Sequence, residues 1–317
     1  MRALWKKNGI TVLLLLAGVV FLLLFPVLGD DLYLLTVFSI ALMYSVYAAS
    51  WDLLSGYTGK ENFGHAALVA IGAYSLGIIS QSTPLQPILS IPLAGILSIV
   101  WGILIGIPTL RLKGPYFALA TLAVASIMEK LTLSFSEVTG GEEGLYGIPF
   151  LAQDFVPSYY FVLLFAILSI GFLFFLGRSN FGLTLKSIRS DEDAARAVGI
   201  STTRYKVTAF AISAGFAGMT GAISGHYYGF VGFDMVFPLS LNIIILSVVG
   251  GLGGILPAAL GAFFLTYLTE LLREFGEFNQ LIYTGILMVV VLVLPHGVFN
   301  LLGDFLRRGR KHGVTGR

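Results

Sequence analysis

The sequence predicts an all-α fold, a polytopic transmembrane helical bundle of about eight to ten membrane segments. Three observations carry this. Of the 317 residues 56% are apolar and only 11% charged, where a soluble domain holds roughly 45–50% and about 25%. The apolar residues fall in continuous runs near the roughly 20 residues a helix needs to cross a bilayer, not in the short alternating segments of a membrane barrel. Basic residues gather in alternate loops. With a mean hydropathy of +0.89, the chain is neither an ordinary soluble enzyme, nor a nucleic-acid binder, nor a disordered protein. Its net charge of +2 is uninformative about partners. The absence of cysteine excludes disulfides, thiol nucleophiles and Cys-ligated metals.

The first run, Ile10 to Leu28, follows Arg2, Lys6 and Lys7. It exceeds the core of a signal peptide and lacks a small-x-small cleavage site, so it reads as an uncleaved span. Runs follow at Leu32–Leu54, Phe63–Ile79, Ile88–Ile107, Tyr116–Phe135, Tyr159–Leu176, Val207–Phe230 and Leu281–Leu294. The third is short, rich in Gly and Ala, and open to a re-entrant reading. Leu239–Leu272 is too long for one simple span and is interrupted by Gly250, Gly251, Gly253, Gly254 and Pro257. It is split into two helices meeting at that turn. No linker or low-complexity tract divides the chain, so residues 1–317 read as one membrane domain.

Orientation follows from charge. With a cytoplasmic N-terminus, every basic residue except Lys130 and Arg273 falls on the cytoplasmic side, which places both termini and the 177–206 loop inside. Ser136–Pro157 then faces out.

That inner loop is the most informative segment. Ser190 is positioned to cap a helix whose first turn holds Asp191, Glu192 and Asp193, where the helix dipole favours carboxylates. Ala194, Ala195, Arg196, Ala197 and Val198 continue it, and Gly199 suits a left-handed C-terminal cap. The sequence thus writes a short capped helix outside the bilayer. It is either a plain connector or a docking element with a small-residue face.

Other groups carry two readings each. Ala214, Gly218 and Ala222, with Ala217, Gly221 and Gly225, let a neighbouring helix approach closely, which makes packing the first reading and a pathway lining the second. Gly250, Gly251, Gly253 and Gly254 form either a surface turn or a broken helix beside a solute route. Gly64, His65 and Asn242 are further candidate pathway or broken-helix positions. Asp52 and His65 lie near inner ends and suit a surface position or a bond between segments. Asn242 lies deeper and suits interhelical hydrogen bonding. Trp51, Tyr159 and Tyr160 fit interfacial belts. No histidine has a partner at i+3 or i+4, so no metal site is expected. Nor is there a nucleophile cluster for an intramembrane enzyme, or the deep paired charges of an ion-coupled transporter.

Several blocks resemble one family. The stretch from Asp191 to Lys206, DEDAARAVGISTTRYK, and the AFAISAGFAGMTGAISGHY that follows it are similar to the coupling segment of the permease subunits of bacterial ABC importers for branched-chain amino acids, LivM-type subunits above all. So are Gly56-Tyr57-Thr58-Gly59, Gly64-His65-Ala66-Ala67, LRLKGPYFALATLA, Thr139-Gly140-Gly141, VVGGLGGILPAALGA and LVLPHGVFNLL. Lys60-Glu61-Asn62 and Pro115 depart from the family pattern. The resemblance implies an ABC importer permease fold and residence in the bacterial cytoplasmic (inner) membrane. It implies a second, distinct permease subunit, two cytoplasmic ATPases carrying ATP and Mg, and an external substrate-binding protein, with Ser190–Gly199 coupling to the ATPase. Related permeases move ureas, amides or sugars, so the substrate stays open. No cofactor is expected on this chain, whose closest approach to a phosphate-binding loop, Gly56 to Lys60, is followed by Glu61 instead of Ser or Thr.

Overall fold

The computed structural model describes residues 2–28, 31–83 and 86–278, with scattered positions beyond; side chains are described from residue 13 onward. The expected last segment, Leu281–Leu294, lies outside the continuously described residues. Long helices run over α1 (Arg2–Leu28), α2 (Leu32–Thr58), α3 (His65–Ser82), α4 (Pro87–Thr109) and α5 (Pro115–Ser134). After the single turn α6 (Ser136–Thr139) come α7 (Phe155–Arg178), α8 (Asn180–Ser190), α9 (Glu192–Ala197), α10 (Thr202–Tyr228), α11 (Phe237–Gly250) and α12 (Ile255–Leu271). Among the described residues five helices are long and apolar enough to cross a membrane, six if α11 and α12 count as one bent span. Shorter apolar stretches in α1 and α3 add to these. The one strand pairing among the described residues, β1 (Leu145–Tyr146) antiparallel to β2 (Phe230–Val231), closes the bundle end opposite α8 and α9.

α2 and α10 form the centre, each buried over 67% of its most apolar window. α10 packs on α4 and α3, and α2 on α12 and α7. The small residues of α10 serve packing, as their spacing suggested. A side chain on Gly72 would collide with the Gly218 backbone, and one on Gly218 with Ser98. Backbone therefore meets backbone where α3 crosses α10, and the Ser98 side chain packs on the α10 backbone where α4 crosses it.

Two aromatic expectations are corrected. Trp51 is 2% exposed and donates through Nε1 to the Asn62 carbonyl at 2.7 Å. Tyr159 is fully buried, and its hydroxyl donates to the Leu22 carbonyl at 2.8 Å. Pro26 lies inside α1 and has no N–H to offer the residue four back, which is Leu22. Tyr159 thus satisfies the carbonyl that Pro26 leaves open. Neither residue is an interfacial anchor.

Candidate functional site

Between α7 and α10 the structure holds two helices where the sequence suggested one. α8 starts at Ser179, whose Oγ accepts from Phe181 N–H at 3.2 Å. It buries Leu185 and Ile188, while Phe181 stacks on Tyr205 of α10 with ring centroids 5.7 Å apart. The spacing of Phe181, Leu185 and Ile188 is the helical signal that the polar surroundings hid. The helix is interrupted at Asp191, whose backbone is extended.

Asp191, not Ser190, caps α9. Its Oδ1 accepts from the N–H groups of Asp193 and Ala194, both at 2.9 Å. Ser190 is the last residue of α8, where its hydroxyl donates to the Lys186 carbonyl at 3.1 Å, so it lacks the extended backbone a cap requires. The C-terminal expectation holds. Gly199 has φ of 88°, its N–H bonds to the Arg196 carbonyl at 3.0 Å, and Ile200 N–H reaches the Ala195 carbonyl at 3.1 Å. This is a Schellman closure.

α9 is fastened to α10 by Glu192. Its Oε1 accepts from Lys206 Nζ at 2.6 Å, from Thr202 Oγ1 at 3.2 Å and from Arg196 Nη2 at 3.0 Å. The Lys206 side chain is only 4% exposed. Burial alone would push the Glu192 carboxyl up, but the Lys206 ammonium hydrogen-bonded to it outweighs burial and holds it below the usual carboxylate value. A depressed pKa contributes stability above the unfolded value, and that contribution is lost as pH falls through the folded one. Anchoring of α9 should therefore hold at neutral pH and weaken on acidification below the ordinary carboxylate value of 4.5. At neutral pH Glu192→Gln leaves the Lys206 ammonium buried beside an uncharged amide. The loss is about 2 kcal/mol, roughly a thirtyfold population shift toward detached α9. The chain lacks cysteine, so faster thiol labelling of Ala195→Cys when Glu192→Gln is also present measures this directly.

The two faces of α9 differ. Ala195 is 5% exposed and points into the protein. Asp193, Ala194, Ala197 and Val198 face outward, with Val198 78% exposed. The surface open to a partner is thus the Ala194–Ala197–Val198 side.

The other candidates separate. Gly250, Gly251, Gly253 and Gly254 occupy a true break, where α11 and α12 bend by 114°. Asp52 is fully buried on α2 and accepts from Gly253 N–H at 2.8 Å, so of its two sequence readings the bond between segments is realised. His65 is likewise fully buried, with Nε2 3.0 Å from Ser50 Oγ. The Ser50 hydroxyl donates to the Tyr47 carbonyl at 2.9 Å, so His65 Nε2 is the donor to Ser50. Gly64 sits against the Thr121 backbone, where a side chain would collide. At this start of α3, Phe63 N–H donates to Thr121 Oγ1, Gly64 N–H to Asn62 Oδ1 and Ala66 N–H to Ser240 Oγ. These donors are taken by Asn62 and by neighbouring elements and are not presented to a ligand. Asn242 departs from expectation, being exposed on α11 without a hydrogen bond among the described residues.

One helix face stands out. α5 is less apolar than α4 or α7 yet less buried, 22% against 33% for each of them. It leaves Tyr116, Leu119, Ala123, Ile127 and Lys130 uncovered. α4 and α7 are the more apolar helices, with hydropathies of 2.4 and 2.5 against 1.4 for α5.

The family model for the permease component of branched-chain amino acid transport systems matches residues 32–294, most of the chain. The chain belongs to this family. It is a multi-pass membrane permease. It is similar to the high-affinity branched-chain amino acid transport system permease protein LivM of Salmonella typhimurium, 30% identical over 83% of this chain and 69% of that protein. It is also similar to the permease protein BraD of Pseudomonas aeruginosa, 22% identical over 81% of this chain and 91% of that one. The LivH permease protein of S. typhimurium is 27% identical over 40% of this chain and 42% of its own. No solved structure matches the chain significantly.

Proposed function

We propose that this chain forms, as one permease domain, half of the translocation pathway of an ATP-driven ABC importer for leucine, isoleucine and valine in the bacterial cytoplasmic (inner) membrane. Both termini and the α8–α9 segment are cytoplasmic, in keeping with the concentration of basic residues there. The observation that carries the reading is α9: a capped, charge-anchored helix outside the spans with a small apolar face, Ala194, Ala197 and Val198, turned away from the protein. Such a face suits the groove of a cytoplasmic ATPase. Two such ATPases hold ATP and Mg. This chain holds neither, because Gly56 lies within α2 and Glu61 stands where a phosphate-binding loop needs a hydroxyl.

The second permease subunit covers the weakly buried, less apolar face of α5, and the route runs between the two. Relatives named LivM and LivH occur in one organism, each named a permease protein of a high-affinity branched-chain amino acid transport system, which supports an unlike second subunit. An external binding protein delivers substrate to the β1–β2 end. Substrates with an apolar side chain between an ammonium and a carboxylate suit a mostly apolar route.

Purification of the complex from its native membrane, followed by hydrolysis assays with leucine, isoleucine, valine, urea and a sugar, tests the reading. Stimulation by the branched-chain amino acids alone is expected; stimulation by urea or sugar only would reassign the substrate. Orientation has its own check. A cysteine introduced by Val198→Cys should label from the cytoplasmic side and one introduced by Glu142→Cys from outside, and the reverse pattern would invert the map.

A further inference from the structure

Three elements that are far apart in sequence meet at one knot. Asp52 on α2 holds Gly253 N–H through Oδ1 at 2.8 Å, and its buried Oδ2 has no hydrogen-bond partner among the described residues. One turn later on α2, the Gly56 carbonyl accepts from Nη1 of Arg189, which α8 supplies. Both glycines are required by the packing. A side chain on Gly56 would collide with the Asp52 carboxylate, and one on Gly253, at φ of 74°, would come within 2.9 Å of Arg189 Nη1. The same face of α8 makes a second contact with α2, where Lys186 Nζ sits 4.5 Å from the centre of the Tyr57 ring.

The mechanics follow from this arrangement. Helices are stiff, and the glycine break between α11 and α12 is the compliant point of its segment. Its N–H is held by α2, and α2 is held in turn by α8. Only Asp191 separates α8 from α9. A displacement of α9 therefore reaches the break through two hydrogen bonds, without passing along the lengths of α7 or α10.

We propose that Arg189 is a positioning residue for transport, passing movement of α8 and α9 to the Gly250–Gly254 break through Gly56 and the Asp52 carboxylate. This rests on the importer reading above. It makes α8 part of the coupling apparatus and gives the buried Asp52 a mechanical role, capping the break, with no part in carrying protons.

The test uses the complete importer in proteoliposomes. Arg189→Gln should keep the protein monodisperse, because the residue is exposed. It should also retain the ATPase in pull-downs and leave basal hydrolysis within about twofold, while substrate moved per ATP falls roughly tenfold, as loss of a charged hydrogen bond allows. Arg189→Lys should recover part of the ratio, since an ammonium still donates to one carbonyl. A covalent substitute provides the sharper readout. A Cβ built on Gly59 lies 4.0 Å from Arg189 Cβ, within the range of about 3.5–4.5 Å that a disulfide spans. Gly59 has φ of 71°, where a side chain is strained, so Gly59→Cys alone is the control and should stay coupled, whereas the pair Gly59→Cys with Arg189→Cys should be uncoupled when reduced and regain coupling when oxidised. An unchanged transport ratio in Arg189→Gln would overturn the proposal. So would loss of ATPase association, which would make Arg189 a docking residue, and so would an oxidised pair that stays uncoupled. Absence of ATP-driven uptake by the wild-type complex would instead remove the importer reading on which the proposal rests.

Discussion

Gly72→Ala should strongly destabilise the bundle, although it adds a single methyl group. The added carbon would collide with the Gly218 carbonyl oxygen and lie 2.5 Å from Gly218 Cα. Both are backbone atoms, which no rotamer change can move aside. α3 would have to separate from α10, and α10 is also packed at Gly218 against the Ser98 side chain of α4. Overpacking of this kind costs roughly 1–3 kcal/mol, and a backbone clash belongs at the upper end. The folded-to-unfolded equilibrium constant should fall by on the order of a hundredfold, read as a lowered midpoint of unfolding in detergent. A control at Gly171 on α7, where nothing lies within 4 Å of a built Cβ, should leave the midpoint unchanged for Gly171→Ala.

The second large effect concerns the outward face of α9. Val198→Asp places a carboxylate at the centre of the proposed contact and next to the carbonyl end of its helix, where negative charge is disfavoured. Ala197→Trp overfills the same face. Either change should weaken association with the ATPase by about 2 kcal/mol, near thirtyfold, the loss expected at the centre of a docking face. The permease itself should fold normally, because both positions are exposed. Ala195→Trp is different. Ala195 is buried against the protein's own helices, so a large residue there should lower the stability of the α8–α10 unit itself. Pull-down with purified ATPase, paired with thermal unfolding of the isolated permease, separates the two classes.

Much of this could be read from the sequence. Long apolar runs located α2, α4, α5, α7 and α10, the Gly-rich stretch at 250–254 located the bend, and the Asp-rich turn followed by alanines and Gly199 located α9. What the sequence could not resolve depended on local dihedral angles or on distant partners. Ser190 and Asp191 are both good capping residues, and only the extended backbone at Asp191 decides between them. α8 was concealed because half of it faces water, although Phe181, Leu185 and Ile188 keep a helical interval. Asp52 looked like a group at a helix end, because its donor, Gly253, lies 201 residues away. Tyr159 could be assigned its partner only once α7 was placed beside the carbonyl freed by Pro26. Asn242, read as an internal hydrogen-bonding group, is exposed because α11 turns that face away from the bundle.

The claim that this permease works by coupling to ATP is tested most directly by uptake of labelled leucine into proteoliposomes holding the complete complex, with the binding protein outside and ATP enclosed with the α8–α9 face. Uptake that requires enclosed ATP and is lost with Val198→Asp is the predicted result. Uptake that proceeds without ATP or the ATPase, driven by an imposed proton or sodium gradient and indifferent to Val198→Asp, would contradict the account.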